Sequence, residues 1–482
     1  MRLRTRKFIA GGNDRKSSFF AVFALLAFIS ACTVGPNYSR PAMTTPAGYK
    51  EAVGGNPSLS IDDVVKAKWW EIFGDTELNA LEEQVDITNQ NIAQAEARFR
   101  QARALVQAAR AAYFPTVTVG VGVTGTQRSA TATPGTTENR NAFTEHSLLA
   151  DVSWELDVWG RIRRSVESST ASAQASAADL AAANLSARTD LAQDYFQLRS
   201  LDTQKQLLDA TSVAFQKSLD LTNNRYRSGV ASRGDVLQAE TQLKTTQAQA
   251  IDVGVQRAQL EHAIALLVGK APANFSIPAA QFTGAPPAIP AGVPEELLNR
   301  RPDVGSAERL AAAANAQIGV AESAYYPNVA LDTQGGFESS SLAKWFSVLG
   351  RFWSSGLSVT QTLFDGGLRE SQVKQARAAY DASVAAYRQA VLTGYQEVED
   401  NLAAQRILTS EAQTEDEAVK AAEQSLTVIT NQYQAGIVSY LNVVVAQTTA
   451  LTNERTAVDI LGRRLTASVL LIKALGGGWK AT

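Results

Sequence analysis

The chain has 482 residues, with 45 Lys/Arg against 47 Asp/Glu, one cysteine and two histidines. The net charge is −2, or −7 without the basic leader described below, which disfavours a nucleic-acid partner, and a lone cysteine excludes a disulfide framework or a thiolate metal site. His146 and His262 fall on different expected elements without ligand-spaced partners, so no metal, cofactor or catalytic constellation is expected and the chain is not read as an enzyme.

Residues 1–31 read as a targeting segment. Arg2, Arg4, Arg6, Lys7, Arg15 and Lys16 form a basic start, and an apolar run follows at residues 19–29. That run is shorter than the roughly 20 residues that span a bilayer, which suits a secretory signal. It ends Ile29-Ser30-Ala31-Cys32, which resembles a bacterial lipobox. The resemblance implies diacylglycerol and palmitate on Cys32. It also implies outer-membrane sorting, because Thr33 stands where an aspartate would signal inner-membrane retention. An ordinary signal peptide with a chance cysteine is the alternative. Without the leader's six basic residues and Asp14, 39 bases face 46 acids, a net charge of −7. No later stretch approaches 18 consecutive apolar residues, so any membrane crossing must use strands. Residues 32–68, rich in Pro, Gly and Ser over 33–57, read as a tether.

The remainder is one unit written twice. Residues 109–119 read ARAAYFPTVTV and residues 321–331 read AESAYYPNVAL; residues 224–241 read NRYRSGVASRGDVLQAET and residues 431–448 read NQYQAGIVSYLNVVVAQT. The two offsets, 212 and 207, place a five-residue length change in the loops between strands, where insertions are tolerated. The copies are assigned to residues 69–271 and 294–475, with a linker at 272–293 that holds most of a cluster of six prolines, and a tail at 476–482. Proline is absent from 135–271 and 328–482, and an interior proline costs a helix about 3 kcal/mol. These tracts therefore predict long helices at 158–228 and 367–435, with shorter ones at 70–113, 233–268, 294–325 and 439–475. Apolar spacing at Leu191, Tyr195, Leu198, Leu208, Phe215 and Leu219 suits coiled-coil-like packing. Stacking helix 233–268 on helix 294–325 would cover one long helix.

Four strands are expected, at about 114–126, 146–157, 326–338 and 355–364. Val117, Val119, Val121 and Val123 alternate with Thr118, Gly120, Gly122 and Thr124. A half-buried soluble sheet alternates in the same way. Strands of about ten residues spliced into very long helices favour a transmembrane barrel. Four strands cannot close, since the smallest such barrels have about eight, so the open edges must pair with other copies. GVGVTG at 120–125 matches a dinucleotide fingerprint but lies within a strand and opens no helix, which its mechanism requires.

LLNRRPDV at 297–304, WWEIFGD at 69–75, LDVWGR at 156–161 and its echo FDGG at 364–367 resemble the TolC-like outer-membrane efflux factors. The likeness is to their lipoprotein branch, which serves multidrug and metal pumps. The resemblance implies a mostly α fold with four strands per chain. Three copies would share a 12-strand transmembrane β-barrel in the outer membrane, continued by a coiled-coil-like helical tunnel in the periplasm. The partners it implies are a periplasmic adaptor and an inner-membrane transporter. Gly229 and Gly436, with Ser232 and Ser439, become adaptor-contacting tips; from the residues alone they are helical hairpin turns, each serine capping the return helix ahead of Asp235 or Asn442. Position by position, Asp235 matches a gate carboxylate, Tyr433 a gate tyrosine, and Leu441 an apolar residue narrowing the tip. Many relatives carry aspartate one turn beyond Leu441, where this chain has Val445, which implies an apolar constriction. An exit duct for protein secretion and a non-conducting, envelope-bridging lipoprotein are the alternative readings.

Overall fold

A computed structural model describes residues 33–52, 68–127, 142–282, 284–290 and 292–479. The signal segment and Cys32 lie outside the described residues. Two compact units are present: one holds residues 33–41, 101–174 and 308–385, the other 42–100, 175–307 and 386–479.

The first unit contains a four-stranded antiparallel sheet in the order β1 (Thr116–Thr126), β2 (Phe143–Glu155), β3 (Asn328–Ser339), β4 (Arg351–Thr360). Register brings Val121 opposite Leu148 and Leu148 opposite Phe337, and pairs Leu331 with Leu357 and Val329 with Val359. One face is thus apolar, and its valines on β1 are exposed. The other face is polar: Thr118 lies opposite Asp151 and Asp151 opposite Gln334, while Ser153 Oγ donates to Asp332 Oδ1 at 2.9 Å. β1 and β4 are the open edges.

The fourth strand starts and stops four residues before the expected 355–364. Thr360 pairs with Asn328, and the next residue outward is Pro327, which has no N–H to continue a ladder. Gln361 Nε2 instead donates to the Tyr325 carbonyl at 3.1 Å, leaving Leu363 and Phe364 exposed. The length change between the halves lies between the strands, at 127–142 against 340–350.

The helices repeat in length. α3 (Arg161–Arg227) and α7 (Leu368–Gln434) have 67 residues each, or about 100 Å at the α-helical rise. α4 (Arg233–Leu267) and α8 (Tyr440–Ala474) have 35; α2 (Gln90–Ala111) and α6 (Pro302–Ser323) have 22. The junction motifs explain where the long pair begins. Asp157 accepts from the Ile162 and Arg163 amides, both at 2.9 Å, and Asp365 accepts from Gly367 and Arg369. Each satisfies donors that the first helical turn leaves unpaired.

Two expected helices are broken. The one expected at 70–113 comprises a 3-10 turn (Trp69–Phe73), α1 (Thr76–Thr88) and α2, interrupted at Asn89. Asn89 Oδ1 accepts from the Asn91 and Ile92 amides and caps α2, while its Nδ2 donates to the Leu267 carbonyl at 2.8 Å. The helix expected at 294–325 is split into α5 (Pro294–Arg300) and α6, because Pro302 keeps Arg301 out of the α region. Arg301 Nη1 donates to the Ala474 carbonyl at 3.2 Å. The end of α4 therefore abuts the start of α2, and the end of α8 abuts the start of α6. This corrects the expected stacking of 233–268 on 294–325: each helix meets a partner from its own half, through capping side chains.

The core of the helical unit gathers Trp69, Trp70, Phe73, Tyr195, Phe196, Leu297, Tyr387 and Leu471. Asp75 caps α1 and accepts the Tyr195 hydroxyl at 2.7 Å. The proline-rich linker is pinned: Asp202 binds Arg199 and Arg257 and accepts from the Ala280 amide, and Arg257 Nη2 donates to the Ile277 carbonyl at 2.7 Å.

The expected tether is seated where it is described. Val34 N donates to the Trp159 carbonyl at 3.1 Å, and Arg164 donates to the Val34 and Gly35 carbonyls and to Asn37 Oδ1. Asn315 Nδ2 reaches the Pro36 carbonyl at 2.9 Å, and Gly35 passes so near Gly319 that a Cβ on it would lie 2.4 Å from the Gly319 Cα. In the helical unit, the amides of Lys50 and Glu51 donate to the Glu399 carboxylate. A segment with this many backbone partners is part of the fold. No helix among the described residues is long and apolar enough to cross a membrane.

Candidate functional site

The residues singled out for the tips all fall in the helical unit, at two hairpins. α3 closes on Gly229 (φ +77°) and α7 on Gly436 (φ +81°), a left-handed conformation that costs other residues about 1–2 kcal/mol. Val230 N reaches back to the Arg225 carbonyl at 2.8 Å and Ile437 N to the Gln432 carbonyl at 2.9 Å, the six-to-one bond of a Schellman stop. The turns then diverge. Ser232 caps α4 in a reciprocal box: Asp235 N donates to Ser232 Oγ at 3.1 Å, and Ser232 N to Asp235 Oδ2 at 2.9 Å. Ser439 makes no side-chain cap, contrary to the expectation from its spacing. Its Oγ receives the Asn442 side-chain amide at 3.3 Å, and Asn442 N bonds to the Ser439 carbonyl at 3.2 Å.

The five residues expected at the gate do not form one cluster. Asp235 is committed to its capping box. Tyr433 is buried with Tyr440, Ala239 and Val443, its ring edge-on to Tyr440 at 5.3 Å and its hydroxyl 3.4 Å from Thr222 Oγ1. The Arg225 guanidinium lies 4.7 Å from the centre of the Tyr433 ring, and its Nη1 donates to the Gln434 carbonyl at 3.0 Å. Tyr433 thus latches the two hairpins of one chain together. Leu441 and Val445, four residues apart on α8, present a free apolar edge, 54% and 58% exposed. Asn442 is exposed beside them.

Three latch residues escaped the sequence reading: Thr222, Arg225 and Tyr440. Arg225 carried a signal, a base in the last turn of α3 where the helix dipole favours cations. Tyr440 carried one too: its counterpart in the first copy is Arg233, so the repeat is broken there. Burial, with Tyr433 and Asp235 adding to it, pushes the Tyr440 phenol up to about 12, so it stays a neutral packing group. Of the histidines, His146 packs 5.7 Å from Trp345 and His262 is exposed. No three His, Cys, Asp or Glu side chains gather into a metal site among the described residues.

Similarity to known proteins gives the class: a channel protein of the outer membrane. The chain belongs to the outer membrane efflux protein family, which matches over residues 81–270 and 293–477; it is not an enzyme. It is similar to the probable efflux pump outer membrane protein TtgC of Pseudomonas putida, 27% identical over 460 residues and 95% of each chain. The outer membrane protein OprJ of Pseudomonas aeruginosa is 28% identical over 471 residues, 96% of this chain and 97% of that one. The solved outer-membrane channel OprN has a TM-score of 0.86 at 30% identity, covering 93% of this chain and 100% of that one.

Proposed function

We propose that the chain is the exit duct of a tripartite efflux system, working as a homotrimer with a periplasmic adaptor and an inner-membrane transporter. The observation that carries this is the sheet: four strands, apolar on one face, polar on the other and open at both edges. Membrane barrels of a single chain need about eight strands, and three copies of this sheet supply 12. β1 of one copy then meets β4 of the next, the valine face meets lipid, and Asp151, Asp332 and Gln334 face a water-filled lumen. Conduction is passive; the transporter chooses the cargo. The helical body stands in the periplasm, and Cys32 carries the lipid.

At the tips, the Tyr433 latch holds the closed arrangement, while Leu441 and Val445 supply a constriction that shuts by packing and dewetting. Purified protein should be trimeric and give single-channel conductance in planar bilayers. A monomeric, silent preparation would overturn the duct. Tyr433→Ala should raise resting conductance several-fold, and an unchanged value counts against a gating role for this residue. An ordered cation held by the ring of position-445 side chains would rule out the apolar constriction.

A further inference from the structure

The two strand hairpins are copies, yet their connections differ in kind. Residues 127–142 read QRSATATPGTTENRNA, a polar water-compatible stretch. Residues 340–350 read SSLAKWFSVLG, and within 339–351 the only charges are Lys344 and Arg351, both positive. This second connection folds back over the sheet. Trp345 lies 5.7 Å from His146, Phe346 lies 5.7 Å from Phe337, and the two rings stack on each other at 5.0 Å. Trp345 Nε1 donates to the Phe337 carbonyl at 3.4 Å. His146 and Phe337 belong to the apolar face, in register with Val123 and Leu148. The loop therefore extends the apolar face beyond the strand ends. Leu342, Phe346 and Val348 project from it, and Leu349 is 97% exposed.

We propose that the β3–β4 connection is a membrane-seated anchor, its apolar residues in the acyl border of the bilayer and its two bases against anionic headgroups. Two observations select lipid over another copy of the chain. The loop covers the apolar face and not the polar one. Its rings sit over β2 and β3, inside the width of the sheet, whereas a neighbouring copy pairs at the β1 and β4 edges. Exposed aromatic and aliphatic side chains flanked by two bases have the composition that suits an anionic lipid interface. This inference rests on the barrel reading above, which puts the apolar face in lipid.

The test places a fluorophore at Leu349→Cys, or at Val121→Cys mid-strand, in the full chain carrying Cys32→Ala. The protein is reconstituted in vesicles of phosphatidylethanolamine and phosphatidylglycerol. Nitroxides on shallow acyl positions should quench the Leu349 label at least twofold, with protection from aqueous iodide matching that at Val121. Quenching by iodide and not by acyl nitroxide would overturn the anchor, as would protection from both, which means another copy covers the loop. Iodide quenching at Val121 as well would sink the barrel reading and the anchor with it.

Discussion

Asp194 works against the helix that carries it. Burial, with Asp190 one turn away adding to it, pushes its carboxyl up to about 6. A carboxyl raised in the folded state holds its proton more tightly folded than unfolded, so its contribution is favourable below the ordinary carboxylate range and is lost as pH rises through about 6. Asp194→Asn should therefore stabilise the protein by about 1 kcal/mol near neutral pH, a figure discounted for partial solvent access. It should also flatten the stability profile between roughly pH 4 and 6. Calorimetric melting across that range is the check, and a lower melting temperature at neutral pH would mean that the carboxylate is held by a partner. At this scale the sequence was legible where chemistry is local. Ser232 and Asp235 stand at capping-box spacing and make the box. Tyr433 was found as a residue but not as a latch, since Thr222 and Arg225 lie more than two hundred positions away in the chain and no local pattern connects them.

The two hairpin turns share a glycine stop and differ in how the return helix starts, and the difference is measurable. Ser232→Ala removes a cap and should cost about 1 kcal/mol; Ser439→Ala removes none and should cost a few tenths at most. Hydrogen exchange in the first turns of α4 and α8 would separate them, and equal effects would mean that Ser439 caps in solution. The extents of the long helices were readable to within a few residues, because the absence of proline permits a helix over a whole tract. The breaks were harder. Asn89 sits in an otherwise helix-compatible run and interrupts it by capping one helix while gripping the end of another. End-to-end stacking was misread for the same reason: length sums show which helices can cover a long partner, and only the capping side chains decide which ones meet.

For the molecule as a whole, duplication was plain in the sequence and is exact in the lengths of the three helix pairs. The amphipathic sheet makes the strongest demand on the assembly. Arginine on a lipid-facing strand position costs about 2–4 kcal/mol near the bilayer midplane. Val119→Arg should therefore cut the yield of heat-resistant oligomer in outer-membrane fractions, while Thr118→Arg, on the polar face, should leave it near normal. Equal losses from both would mean that the faces are wrongly assigned. The seated N-terminal segment changes what a lipid on Cys32 would do. Val34 is bonded to the Trp159 carbonyl, just past the end of β2, so a lipid on Cys32 would join a chain that is tied to the sheet from Val34 onward. It would act as a depth gauge, setting how far the sheet rides in the bilayer. Cys32→Ala behind a conventional signal peptide should then still assemble and conduct, with the sheet's immersion less sharply defined in spin-label depth measurements; total loss of assembly would make the lipid the primary attachment.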